Sequence, residues 1–200
     1  GILTINGGTF NADTYTKSAV RLLGFGTDVD EIFGYINGGT FNAKIKLNNY
    51  VGGEFNSQVF FIKGGTFAED PSEFVVPGYK AELENGVYVV RKPQELIDFE
   101  NAIANGNDVT LSEDLTLIDP VTVPEGKEVT INLNGKTLDI YTHKSVGSVL
   151  KNNGTLAIEG GVISSMANNG GSAIANNGTL TVKNATLNGA PNADGSWPSY

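Results

Sequence analysis

The hexapeptide Ile5-Asn6-Gly7-Gly8-Thr9-Phe10 returns as Ile36-Asn37-Gly38-Gly39-Thr40-Phe41 and again as Ile62-Lys63-Gly64-Gly65-Thr66-Phe67, at intervals of 31 and 26 residues. A weaker copy, Tyr50-Val51-Gly52-Gly53-Glu54-Phe55, sits about halfway through the second interval. The second half of the chain has a repeat of its own. Asn152-Asn153-Gly154-Thr155-Leu156 recurs 24 residues later as Asn176-Asn177-Gly178-Thr179-Leu180. The run 156–163 aligns with 180–187, and 131–138 aligns with both, which sets Leu133, Ile158 and Val182 in one column. Self-similarity at such periods marks a repeat architecture, in which each unit buries its apolar face only against its neighbours.

The local pattern decides which one. Val129-Thr130-Ile131-Asn132-Leu133 and Leu180-Thr181-Val182 alternate apolar with polar residues, the periodicity of a strand. Gly or Asn punctuates these runs, and no helical pattern recurs between them. Several short strands per repeat imply a coil stacked on the next at the strand spacing of about 4.8 Å. Aliphatic and Phe side chains then form interior ladders, and Gly-Gly lets the chain bend without a Cβ clash. Asn152 falls over Asn176 and Asn153 over Asn177, so side-chain amides are expected to satisfy turn backbone between coils. Asn153-Gly-Thr, Asn177-Gly-Thr and Asn184-Ala-Thr also match a glycosylation acceptor, but turn residues in register account for the same spacing.

Composition narrows the partners. Glycine reaches 26 residues and asparagine 22, the types that accept left-handed backbone. Net charge is −9 with 13 Lys plus Arg, among which only Arg21 and Arg91 are arginines. A nucleic-acid binder needs a basic stripe, so no nucleic-acid partner is expected. Cysteine is absent, which excludes disulfide scaffolds and zinc–cysteine modules. No apolar run approaches the roughly 18 residues of a membrane span, so no membrane insertion by this segment is expected. The chain opens directly in a strand pattern at Gly1-Ile2-Leu3-Thr4-Ile5 with no initiating Met, and reads as a segment of a longer protein.

One helix stands out over 93–106. Leu96, Phe99 and Ile103 share a face, Pro93 suits the first turn, and Gly106 stops it. The open hydrophobic end of a stack needs a cover, and this helix is expected to supply it. Just upstream, 79–83 and 86–90 flank Glu84-Asn85, a hairpin with Asn-Gly at its turn. The organisation that follows is last coils of a first β-helix over 1–67, a hairpin cap and linker over 68–92, and a helix-capped second stack over 93–200.

The Ile-Asn-Gly-Gly-Thr-Phe units, followed by Ala68-Glu69-Asp70-Pro71-Ser72-Glu73-Phe74 and Pro77-Gly78-Tyr79-Lys80-Ala81, resemble repeat segments of large gut-bacterial surface proteins. The stretch from Glu95-Leu96 through Leu115-Thr116-Leu117 resembles the capped start of pectate-lyase-like right-handed parallel β-helices. The resemblance implies an all-β, right-handed parallel β-helix (a β-solenoid) with one short amphipathic capping helix and a capping hairpin. Its hand also follows the general bias of parallel crossovers. That superfamily spans polysaccharide lyases and hydrolases, tailspikes and adhesins. Its lyases bring clustered aspartates with a basic residue, often Arg, yet Arg21 and Arg91 are read here as lying outside the strand ladders, one in an insert and one at the linker. Its hydrolases bring paired Asp with a His, and the one histidine, His143, has only Asp139 nearby in sequence. No functional residue carries over.

Individual candidates remain. Asp28, Asp30 and Glu31 supply hard oxygen ligands for a cation, but in a run without the spacing of a dedicated loop, and a solvated acidic turn is preferred. Glu113, Asp114 and Asp119 lie near a strand end, where adjacent carboxylates point to opposite faces and do not pair across a sugar. Trp197 and Tyr141, with Tyr200, are the aromatics that could stack on a sugar ring. Neither a catalytic residue nor a cofactor is expected.

The function expected is a non-enzymatic structural or adhesive module of a secreted or cell-surface bacterial protein, contacting host or microbial glycans or surface proteins. The alternatives are a fragment of a polysaccharide-degrading β-helix enzyme with its catalytic coils elsewhere, and a phage tailspike segment.

Overall fold

The computed structural model of the chain describes residues 2–12, 18–24, 33–49, 60–141, 148–165 and 171–189, and it divides into two units, 1–93 and 94–200. Both are parallel β-helices. The coils make a β-solenoid of about 5 turns, two in the first unit and three in the second.

In the first unit, β1 (Ile2–Ile5), β2 (Thr9–Phe10) and β3 (Ser18–Gly24) form the three faces of one coil. The next coil repeats them as β4 (Phe33–Ile36), β5 (Thr40–Phe41) and β6 (Lys44–Asn49), and a third begins with β7 (Phe60–Ile62) and β8 (Gly65–Phe67). Pairing is parallel, with Ile5 on Ile36 on Ile62 and Phe10 on Phe41 on Phe67. The hexapeptide therefore stacks on itself. Its phenyl rings lie face to face, with centroids 4.9 and 4.7 Å apart and planes within 6°. Ile36, Ile62 and Phe41 are fully buried. The second glycine of each pair, Gly8, Gly39 and Gly65, has φ of 104, 119 and 124°, which L side chains avoid.

The end of this unit is covered in two ways. Past β8 the chain turns through a 3₁₀ segment, Ser72–Phe74, then lays Val75 and Val76 along β7; Val76 N donates to Ile62 O at 3.0 Å. Phe74 meets Phe60 edge to face. The hairpin β9 (Lys80–Glu84) and β10 (Val87–Arg91) then closes the neighbouring sheet. β10 runs antiparallel to β8, with Tyr88 opposite Phe67, so the parallel ladder ends in a reversed strand. Asn85 and Gly86 at its turn have φ of 50 and 85°, as a two-residue primed turn requires.

The second unit opens with α1 (Gln94–Asn105), whose Leu96, Phe99 and Ile103 are buried. It packs on the first coil, β11 (Val109–Thr110), β12 (Leu115–Leu117) and β13 (Val121–Val123), and so caps that end of the core. The following coil is β14 (Glu128–Asn132), β15 (Thr137–Ile140) and β16 (Ser148–Asn152). The next is β17 (Thr155–Ser165), one strand covering two faces, and β18 (Ser172–Asn176); β19 (Thr179–Asn188) is the last. Val109, Ile131, Ile158 and Val182 form one column. Its middle members are fully buried, while Val182 on the last rung is 40% exposed.

The column holds Ile131 where the sequence alignment placed Leu133. Residues 133–136 make a wider bend than Gly160-Gly161 on the next coil, with Asn134 and Gly135 both left-handed. Leu133 fills the corner above Gly161, where an added Cβ would come 2.6 Å from its own. Beyond the bend the alignment is restored, with Leu138 on Ile163.

Candidate functional site

Strand alternation sends every second residue of a sheet outward. On the five-stranded sheet of the first unit, ordered β2-β5-β8-β10-β9, that row is Thr9, Thr40, Thr66, Val89 and Glu82, each opposite the next. Thr9 and Thr40 are exposed. Two residues on, Asn11 and Asn42 continue the face, and Asn42 Nδ2 donates to Asn11 Oδ1 at 2.7 Å. At the bend on the other side of the Thr row, Asn37 Nδ2 donates to Asn6 Oδ1 at 2.8 Å. One buried periodicity thus produces two faces at once: Phe columns inside, and Thr and Asn columns outside.

The Thr and Asn part of this surface carries no charge, and charge gathers at its borders as pairs, Glu82 on the hairpin edge included. At the hairpin edge, Arg91 reaches Glu82 at 2.6 Å and also contacts Glu84, which raises the guanidinium pKa further; the hydrogen bond to Glu82 is the larger cause. At the opposite border, just past Asn42, Lys44 pairs with Glu69 at 3.0 Å. A groove of about 250 Å³ opens there, lined by Lys44, Glu69, Asp70, Pro71, Glu73 and Phe74. Asp70 lies just before the 3₁₀ segment, whose N-cap is Pro71, and binds its first residue. Its carboxylate accepts from the Ser72 hydroxyl at 2.5 Å and from Ser72 N at 2.9 Å, and these bonds, the hydroxyl first, hold its pKa below the ordinary aspartate value.

The residues singled out from sequence fall elsewhere. Tyr141 follows β15, anchored by its N–H to Leu117 O at 2.8 Å; it is half-buried, and desolvation pushes its phenol pKa up. Trp197, Tyr200, His143, Asp28, Asp30 and Glu31 lie outside the described residues. Among the described residues no group of three or more His, Asp or Glu could hold a metal ion. Arg21 and Arg91 are both inside strand ladders, correcting the sequence reading. Arg21 stands in β3 opposite Lys46, because the insert itself forms a third parallel face, and Arg91 ends β10 opposite Lys80.

Glu113 lines a crevice of about 300 Å³ between α1 and the first coil. Its neighbour Asp114 has a structural task that the sequence did not announce. Thr137 N donates to Asp114 Oδ1 at 2.8 Å, and Thr130 N donates to Asp108 Oδ1 at 2.6 Å. The short strands of the first coil leave those amides without a carbonyl, and two aspartates supply the acceptor. Spacings of 22 and 23 residues to the amides served were the available signal.

Comparison with known proteins found no matching family model, curated protein or solved structure.

Proposed function

We propose that this chain is a non-enzymatic structural and adhesive module of a secreted or cell-surface bacterial protein, and that the outer face of the five-stranded sheet contacts glycans. The observation that carries the reading is the register of Thr9, Thr40 and Thr66, flanked by the bonded pairs Asn6–Asn37 and Asn11–Asn42. Interior packing does not require these outward residues to match from coil to coil. Their repetition presents hydroxyl and amide groups at the coil pitch, on a support held rigid by the Phe column beneath. A flat, exposed array of this kind gives weak individual contacts that sum when ligand or protein is presented in multiple copies. The likeness of the hexapeptide repeats to gut-bacterial surface proteins, and of the helix-capped start to pectate-lyase-like β-helices, supports the setting.

The test is a glycan array probed with the chain displayed in multiple copies, wild type beside Thr40→Glu. Retention of neutral glycans by the wild type, and its loss with Thr40→Glu at unchanged thermal stability, is the expected result. Equal retention by both proteins, or none by either, removes the assignment to this face.

A further inference from the structure

The hairpin that closes the five-stranded sheet has an edge of its own. β9 is last in the order β2-β5-β8-β10-β9, and among the described residues no strand pairs with its far side. Tyr88 stands opposite both Phe67 and Leu83, so Leu83 lies on the core side of the sheet, in the row that carries the Phe column. Val90 likewise sets Ala81 on that side. Leu83 is nevertheless 64% exposed, because the sheet overhangs the core at this strand. In a hairpin with a two-residue turn the closing pair, here Glu84 and Val87, exchanges backbone hydrogen bonds. The alternation along β9 then points the N–H and C=O groups of Ala81 and Leu83 to the open edge.

We infer that β9 is a dimerisation edge, and that its occupant is β9 of a second copy of this chain, antiparallel across a twofold axis at Glu82. Self-complementarity of the strand, Lys80-Ala81-Glu82-Leu83-Glu84, selects this partner. In that register Ala81 faces Leu83 of the second copy, and Leu83 faces its Ala81. The residues whose backbone groups point outward are thus the ones that meet, and each satisfies the other. The same two pairs set each exposed leucine against apolar surface. On the outer face Lys80 meets Glu84 of the second copy, and the symmetry makes that contact twice.

Charges on an edge strand ordinarily deter pairing. Here they are ordered to match a reversed copy, with a lysine at one end and a glutamate at the other. Lys80, Glu82 and Glu84 share their face with Arg91, a set without net charge. Glu82 alone meets its own kind, and Arg91 lies on it at 2.6 Å. The twofold axis stands perpendicular to the sheet, so the outer faces of both copies point the same way and their Thr rows share one surface. The inference goes beyond the glycan reading and holds without it; two copies of a weak-contact face supply the multiplicity that such contacts need.

Sedimentation velocity of the whole chain over a range of concentrations tests it. The wild type is expected to pass reversibly from monomer to dimer, and Leu83→Lys to stay monomeric with an unchanged melting temperature. Lys80→Glu turns both Lys–Glu contacts repulsive and should raise the dissociation constant about tenfold. The double variant Lys80→Glu/Glu84→Lys restores opposite charges in the reversed register and is expected to recover the dimer, which a general loss of folding cannot do. A wild type that remains monomeric at its highest soluble concentration overturns the inference. A dimer untouched by Leu83→Lys and Lys80→Glu overturns it too, because its interface then lies elsewhere. Loss of the dimer in Lys80→Glu without recovery in the double variant overturns the antiparallel register, and with it the assignment to a second β9.

Discussion

Asn152 and Asn176 are joined across coils by a side-chain bond, Asn152 Nδ2 donating to Asn176 Oδ1 at 2.6 Å. The same nitrogen donates to Thr179 O at 2.9 Å, and Gly154 N donates to Asn152 Oδ1 at 3.1 Å. Asn152 is fully buried, so one amide serves the turns of two successive coils from inside the core.

Replacing it therefore strands several partners together. Asn152→Leu is expected to cost about 2 kcal/mol, the penalty for leaving buried polar backbone unsatisfied. Asn152→Asp is expected to cost more, because it buries a charge. The outer pair, Asn177 and Asn153, bonded at 3.1 Å, is exposed, and Asn177→Ala should stay within about 0.5 kcal/mol. Urea denaturation of the three variants checks the order; equal loss for Asn152→Leu and Asn177→Ala would show that the inner amide has no special task.

The first glycine of each hexapeptide offers an internal control. A Cβ added at Gly7 meets nothing within 4 Å, one at Gly38 comes 3.1 Å from Asn6 O, and one at Gly64 comes 2.5 Å from Asn37 O. The chemistry is identical at the three sites, and only what lies within reach of the added Cβ in this chain differs. Alanine should accordingly be neutral at Gly7, mildly destabilising at Gly38, and cost about 2 kcal/mol or more at Gly64, where backbone must move. Thermal melts of the three single variants read this directly, and a uniform effect would contradict the stacking.

These sites also show how far the sequence could be read. The repeat fixed which residues lie above one another wherever successive coils have bends of equal length, as with Ile158 and Val182 or Phe41 and Phe67. It misplaced Leu133 because a wider bend shifts the register by two residues and leaves the alternation intact. The helix face was legible because Leu96, Phe99 and Ile103 carry a 3.6-residue period of their own. Asp108 and Asp114 were not, since their role depends on amides left open a coil away. The outward Thr and Asn columns were present in the repeat as letters. Their amide polarity became visible only with the bonds between coils.

The Phe column predicts a gradient. Phe41 is fully buried between two stacked rings, whereas Phe10 is half-buried and, among the described residues, stacks on Phe41 alone. Phe41→Ala should cost about 3–5 kcal/mol, as large-to-small changes of buried aromatics do. Phe10→Ala should cost clearly less, since less surface returns to water. Chemical denaturation of both variants measures the difference.

Acid should act locally on the turn that closes the first unit. The Asp70 pKa is lowered in the folded chain by the bonds from Ser72, so its contribution is fully present above the unfolded pKa. It is lost as pH falls through the folded pKa, below the ordinary aspartate value of about 3.9. Carboxyl-detected NMR should give Asp70 a midpoint below that value, and Ser72→Ala should raise it by removing the hydroxyl, the larger of the two causes. The 3₁₀ segment whose first residue, Ser72, Asp70 binds carries Phe74 onto Phe60. Protonation should therefore shift Phe60 and Phe74 ring signals over the same narrow pH range, while those of Phe99 in the second unit stay fixed. Concerted movement of all three rings would mean that acid unfolds the chain globally, and Asp70 would then have no local role.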